Sequence, residues 1–264
     1  MTDCAVLGLL CRIAEAQSID AAWDLATGHF RSMGFSRINY GFTRFRHQRT
    51  IGDPDDALFL TTCDADYAQR YFRGGFYART PAFRWAERNS GACTWKWVKE
   101  AFEAGRLSAD EVEAVRQNVG MGVLAGISVS FPEASQRAKG ALGLIADPGM
   151  DTEAVEQLFA ARKDEIVAVA QMMHLRIVQL PHLARARALS PRQREALEWV
   201  ADGKTTQDVA LLMGVSPAMV EKHLRLAREA LAVETTAQAV AKGALLNMIF
   251  QYPPASQPQA HAAR

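Results

Sequence analysis

The chain is 264 residues long, 49% hydrophobic and 22% charged, with a formal net charge of +1. That length exceeds the roughly 100 to 200 residues of an ordinary domain, and the composition excludes both a disordered and a strongly basic chain, so any affinity for a polyanion must come from a local patch. Cys4, Cys11, Cys63 and Cys93 form neither a CxxC pair nor a zinc spacing and read as reduced thiols, with no disulfide framework and no metal site expected. The opening stretch MTDCAVLGLLCRIAEAQ lacks a basic segment, and Arg12 and Glu15 break its apolar run. Neither a signal peptide nor a membrane span is expected, which implies a cytoplasmic location.

From Cys4 to Gly34 apolar residues recur at helical spacing (Val6, Leu7, Leu10, Ile13; then Ala22, Trp23, Leu25, Ala26, Phe30), interrupted by the capping sequence Ser18-Ile19-Asp20. Two amphipathic helices are predicted. β-favouring runs follow at Phe35 to Phe45 and Ala57 to Cys63, parted by the turn-forming Gly52-Asp53-Pro54-Asp55. Asp64 to Arg73 and Pro81 to Arg88 read as short helices, and Ser108 with Glu111 opens a further helix running to about Val119 as a capping box. Leu124 to Phe131 and Gly140 to Ala146 read as strands, and a long helix is predicted from Asp151 to Leu175–Leu180. Residues 1–178 are thus expected to form an α/β domain, an antiparallel sheet between helices in an α-β-α sandwich. Pro181 and the basic residues His182, Arg185 and Arg187 suit a linker over 179–188. The end of the chain, QYPPASQPQAHAAR, has no periodic apolar face, and a disordered tail over 251–264 is expected.

Between Ser190 and Phe250 four potential N-caps precede four apolar-periodic runs: Ser190 with Gln193, Thr205 with Asp208, Ser216 before Pro217, and Thr235 with Gln238. Gly203 and Gly214 stand where left-handed C-caps would end the first two. An all-α four-helix domain over 189–250 is predicted. Its third helix follows only Gly214-Val215-Ser216, the spacing of a helix-turn-helix. On that helix Val220, Leu224, Ala227 and Leu231 form the buried stripe and leave Lys222, Arg225 and Arg228 for a nucleic acid. Cations and carboxylates balance in number over Arg192 to Lys242, so placement rather than total charge favours DNA.

The segment LSPRQREALEWVADGKTTQDVALLMGVSPAMVEKHL, with the later ETTAQAVAKGALL, resembles the LuxR-type helix-turn-helix family over about sixty residues. The features that carry the resemblance are Glu195, Gly203-Lys204, Val209-Ala210, Val215-Ser216, Val220 and His223-Leu224. It implies a DNA-binding dimer whose contacts come from Lys204, Thr206, Ser216, Glu221, Lys222, Arg225 and Arg228. Glu221 stands where the family usually has a cation, and a carboxylate there can accept from a cytosine amine. His223 is expected to be a packing residue and Glu195 a structural partner.

The segment DADYAQRYFRGGFYARTPAFRWAERNSGACTW resembles the autoinducer-binding domain that recognises N-acyl-homoserine lactones, with the likeness spanning about residues 10 to 178. The family's pocket positions fall on Tyr67, Tyr71, Thr80-Pro81 and Trp95, with Gly126 at a glycine the family uses in the sheet. Ser128 completes the expected ligand set. Tyr67 replaces a Trp that donates to the lactone carbonyl, and Thr80 replaces an Asp that accepts from the ligand amide. A hydrogen bond to a charged group contributes about 1.5–3 kcal/mol against about 1 for a neutral pair, so the exchange is expected to weaken an ordinary lactone about tenfold or more. Tyr67, Tyr71, Phe76, Tyr77, Phe83 and Trp95 suit either an apolar ligand cavity or an ordinary core.

The expected function is a ligand-responsive transcriptional regulator that binds a palindromic operator as a homodimer, with a small-molecule effector, no cofactor and no membrane partner. The alternatives are a LuxR-type regulator that senses another molecule or none, and a two-component response regulator. The latter needs a doubly wound receiver with an acidic pair after its first strand, whereas this chain opens on two helices. The sequence holds no GxSxG, phosphate loop, HExxH or Cys/His pairing on a recognisable element, so no catalytic residue is expected.

Overall fold

A computed structural model describes residues 3–47, 51–181 and 188–250. The chain divides into two compact units, 1–178 and 179–264. Most of the expected linker (182–187) and the expected tail (251–264) lie outside the described residues.

The first unit opens with α1 (Asp3–Glu15) and α2 (Ile19–Arg31); Ser18 caps α2 by accepting from the Ala21 N–H at 3.1 Å. Five strands follow: β1 (Arg37–Thr43), β2 (Leu58–Thr61), β3 (Gly91–Thr94), β4 (Gly126–Ser130) and β5 (Lys139–Ile145). They pair antiparallel in the order β2-β1-β5-β4-β3. Between β2 and β4 lie α3 (Ala65–Ala68), a π-turn over Gln69–Arg73, a 3-10 turn over Phe76–Arg79, α4 (Pro81–Arg88), α5 (Lys96–Glu103) and α6 (Ala109–Gly120). The long α7 (Thr152–Gln179) is bent at Arg162, whose φ of −131° and ψ of 20° leave the helical region.

Side chains alternate across a strand, and this decides what each sheet face holds. Ile38, Tyr40 and Phe42 of β1, Ile127 and Val129 of β4, and Leu142 and Leu144 of β5 join residues of α1, α2 and α7 in one buried core. On that face Tyr40 and His174 of α7 meet hydroxyl to Nδ1 at 2.9 Å, and Glu133 lies 3.0 Å from the other imidazole nitrogen. The opposite face, under α3 to α6, is where the cavities lie.

The architecture is the expected sandwich, with two elements the sequence left unread. GACT is too short for a period-two signal and pairs with β4 only through the sheet, while KWVKEAFE has no side-chain cap to announce α5. The expected helix over 64–73 is one turn of α-helix continued as a π-turn that ends at Gly74.

The second unit holds α8 (Pro191–Ala201), α9 (Thr206–Met213), α10 (Pro217–Leu231) and α11 (Thr236–Leu245). Capping boxes open α8, α9 and α11, and Ser216 caps α10. Gly214, at φ of 66°, turns the chain from α9 into α10. The last helix ends at Leu245, short of the expected Phe250, because Asn247 and Phe250 both take positive φ. Leu246, Met248 and Ile249 are nonetheless buried.

Candidate ligand cavity and DNA-reading helix

Register sets out the floor of the first site. Asn39 lies opposite Gly143, Gly143 opposite Ser128, Gly41 opposite Ala141, and Thr43 opposite Lys139. Gly41, Ala141 and Gly143 therefore make a lane of small residues where larger ones would fill the space above the sheet. Of two adjoining cavities, one of about 110 Å³ stands over the whole lane and one of about 510 Å³ meets it at Gly143. Both are lined by Asn39, Tyr71, Ala82, Trp95 and Gly143. The larger adds Tyr67, Thr80, Val98, Phe102 and Val119; the smaller adds Phe59, Phe72, Tyr77, Phe83 and Ser128.

All five sequence-expected ligand residues thus border these cavities, but their hydrogen bonds differ from the expectation. Trp95 donates from Nε1 to the Ser128 hydroxyl at 2.9 Å, so each is the other's partner. Tyr67 accepts at its hydroxyl from Asn39 Nδ2 at 3.1 Å, and Asn39 Oδ1 accepts from Thr61 at 2.7 Å. Tyr67 and Tyr71 stack with centroids 5.3 Å apart. Burial raises the pKa of both phenols, Tyr71 to about 12, with the Thr80 contact partly opposing the rise. Both hydroxyls stay protonated and can donate.

Thr80 is 2% exposed and is the N-cap of α4. Its hydroxyl donates to the Tyr77 carbonyl at 2.8 Å and accepts from the Phe83 N–H at 3.2 Å. This occupies the hydroxyl's donor and one of its two lone pairs, which leaves a single lone pair for the amide acceptance expected of it. Gly126 is explained by packing: a Cβ there would collide with the Leu144 carbonyl and sit 2.8 Å from the Trp95 ring. Sequence reasoning missed Asn39, the polar hub between the cavities. Its signal was available in RINYGFT, where Asn39 and Gly41 interrupt a strand otherwise alternating with Ile38, Tyr40 and Phe42.

In the second unit Val220, Leu224, Ala227 and Leu231 are buried as expected, and Glu221, Lys222 and Arg225 are exposed on α10. Glu221 accepts from the Thr206 hydroxyl at 2.9 Å, tying α10 to the start of α9. Arg225 pairs with Glu229 at 2.5 Å, an exposed contact that is readily exchanged for another anion. Arg228 donates to Thr236 of α11 at 2.9 Å and is half-buried. Lys204 and Ser216 are exposed, Glu195 pairs with Arg192 at 2.8 Å, and His223 is half-buried.

A family model described as an autoinducer binding domain matches residues 18–177, and one described as sigma-70, region 4, matches residues 183–231. The chain belongs to the autoinducer-binding-domain family. Among curated relatives, it is 27% identical over 224 residues to the transcriptional activator protein SolR of Ralstonia solanacearum, covering 83% of this chain and 88% of that protein. It is 25% identical over 215 residues to the transcriptional activator protein TraR of Agrobacterium vitis, covering 78% and 83%. In fold it matches SdiA of Escherichia coli with a TM-score of 0.53 at 15% identity, over 94% of this chain and 98% of that one. It also matches CepR2 of Burkholderia cenocepacia, an N-acylhomoserine lactone dependent factor, at 0.51 and 14% over 67% and 98%. An autoinducer-binding domain followed by a helix-turn-helix domain makes this a LuxR-type transcriptional regulator. Among the described residues no helix is long and apolar enough to cross a membrane.

Proposed function

We propose that the cavity over the Gly41–Ala141–Gly143 lane binds an N-acyl-homoserine lactone or a close relative, and that binding governs recognition of a palindromic DNA site by a homodimer. The observation that carries this is the pair of apolar cavities, of about 510 and about 110 Å³, bordered by Tyr67, Tyr71, Thr80, Trp95 and Ser128, the positions picked out by sequence. Tyr71 and the Asn39–Tyr67 pair supply the polar contacts, and Thr80 acts chiefly by capping α4. Lys222 and Arg225, exposed on α10, reach base edges; Lys204 and Ser216 meet phosphates, and Thr206 and Glu221 brace the reading helix. The protein works in the cytoplasm as a regulator and not as an enzyme, with no cofactor beyond its effector. Exposed Leu175 on α7 and Leu245 on α11 support dimer contacts along those helices. The domain limits we assign are 1–178 for sensing, 179–188 for the linker, 189–250 for DNA binding and 251–264 for the tail.

Mass spectrometry of small molecules extracted from the purified protein, paired with thermal shifts over a lactone series, tests the ligand. At a hundred times its Kd a ligand stabilises the folded form by about 2.7 kcal/mol. Absence of any co-purified or added lactone that raises the melting temperature defeats the lactone assignment.

A further inference from the structure

The smaller cavity is apolar along its length but charged at one end. Among its lining residues the charged ones are Arg46, Glu87 and Lys139. Arg46 Nη2 lies 3.3 Å from Glu87 Oε1, which leaves Lys139 as the cation in excess. Lys139 is half-buried, and its ammonium has three protons, of which one is directed to the Asn89 carbonyl at 2.9 Å. Burial, followed by repulsion from Arg46, lowers its pKa, and Glu133, which His174 already engages, only partly opposes the shift, so an anion placed beside the ammonium would offset what remains.

Lys139 is also at a fixed place on the floor. It follows Gly143 and Ala141 on the same face of β5 and lies opposite Thr43 of β1. The four-residue step from Gly143 to Lys139 is about 13 Å of strand. An extended apolar chain that starts beside Trp95 and Tyr71 and runs along the lane would therefore deliver its far end to the ammonium. Plain hydrocarbon there would cover a charge and give nothing back.

Resting on the cavity being the ligand site, we infer that the natural ligand carries a carboxylate at the end of its apolar part remote from the Trp95 end, held by Lys139 with Arg46 beside it. Specificity then lies at both ends of the lane: neutral hydrogen-bonding groups at Asn39, Tyr67 and Tyr71, and a cation at Lys139.

The test uses thermal shifts of the full chain with two matched pairs. One pair is octanoate against 1-octanol, which involves no lactone. The other is N-octanoyl-homoserine lactone against the same lactone bearing a carboxylate on the terminal carbon of its acyl chain. The carboxylate member of at least one pair is expected to bind about tenfold more tightly, the factor that separates charge-assisted from neutral hydrogen bonds. Lys139→Gln should remove that advantage without lowering the melting temperature of the free protein, and Lys139→Arg should keep it. A carboxylate advantage confined to the octanoate pair would retain this inference while sinking the lactone assignment. Equal shifts within both pairs, zero included, or an advantage that survives Lys139→Gln, overturn it.

Discussion

Gly143→Ala separates what the lane does for the fold from what it does for the ligand. Gly143 lies in the interior of β5, and a Cβ there would stand 3.9 Å from the Trp95 ring and 4.0 Å from the Asn39 carbonyl, which is ordinary contact. A glycine inside a strand is less favourable than alanine by roughly 0.5–1 kcal/mol. For a domain of this size each kcal/mol is about 2–4 °C, so the free variant should melt about 1–4 °C higher. The same methyl rises into the space above the lane, and overfilling a packed site costs about 1–3 kcal/mol, or roughly 5- to 150-fold in affinity. At a hundred times the wild-type Kd the ligand stabilises by about 2.7 kcal/mol, and a tenfold loss of affinity leaves about half of that. Differential scanning fluorimetry with and without ligand reads both quantities in one experiment. A variant that gains stability yet keeps the full ligand shift would show that the ligand does not lie on the lane, and one that loses stability would refute the packing argument.

Thr80→Val should destabilise the free protein by about 1–2 kcal/mol in chemical denaturation, since it removes the α4 cap and the bond to Tyr77. Thr80→Asp keeps a capping oxygen but places a carboxylate at a 2%-exposed position, so the free protein should be less stable and the shift with ordinary lactones larger; no change in either would remove Thr80 from the site. Arg225→Ala should weaken the cognate operator by about 1–3 kcal/mol in a fluorescence-anisotropy titration while leaving scrambled DNA little affected, and equal loss on both would reassign Arg225 to the phosphates. Acid sensitivity should include His29, whose pKa is lowered from 6.5 by burial, only partly offset by Glu165. Such a group contributes stability above its unfolded pKa that is lost as pH falls through the lower folded value, so His29→Gln should flatten the decline in stability below pH 6.5. An unchanged pH profile in that window would rule His29 out as a contributor.

What could be read from sequence followed from how local each signal is. Caps, glycine stops and 3.6-residue periodicity act within one turn, and the four helices of the second unit could be read from them, down to the buried stripe from Val220 to Leu231. The strands β1, β4 and β5 were visible as apolar runs. β3 was not, because GACT is fixed by pairing with β4, and α5 was not, because KWVKEAFE is only about two turns long and no side-chain cap marks its start. Tyr67, Tyr71, Thr80 and Trp95 were found through the resemblance to the autoinducer-binding family, whose pocket spacing they keep, and Ser128 was added to them. Their chemistry needed coordinates: Thr80 is a cap, the Trp95 donor is held by Ser128, and Asn39 is brought to Tyr67 by a fold that joins residues 28 apart in the chain.

The two faces of the sheet are unequally filled, and this locates where ligand energy acts. α2 buries five residues and α7 seven, of which four and six belong to one apolar core. On the other face α3 and its π-turn bury none, α4 buries only Pro81 and Ala86, α5 only Ala101, and α6 only Glu111 and Ala114. Segments with few buried apolar contacts open locally at low free energy, while well-packed helices exchange only on larger unfolding. A ligand in the cavities supplies apolar contacts that this layer lacks, and openings that release it are suppressed by the factor its binding adds, about a hundredfold at a hundred times Kd. Hydrogen exchange over a labelling window of minutes should therefore show α3 to α6 as the fastest-exchanging helices of the free first unit and as the segments slowed by ligand. The core-facing amides of α2 and α7, protected before ligand is added, should not change in that window. If α3 to α6 already exchange as slowly as α2 and α7 in the free protein, the layer has a sufficient core of its own and the cavities are not where binding energy is delivered.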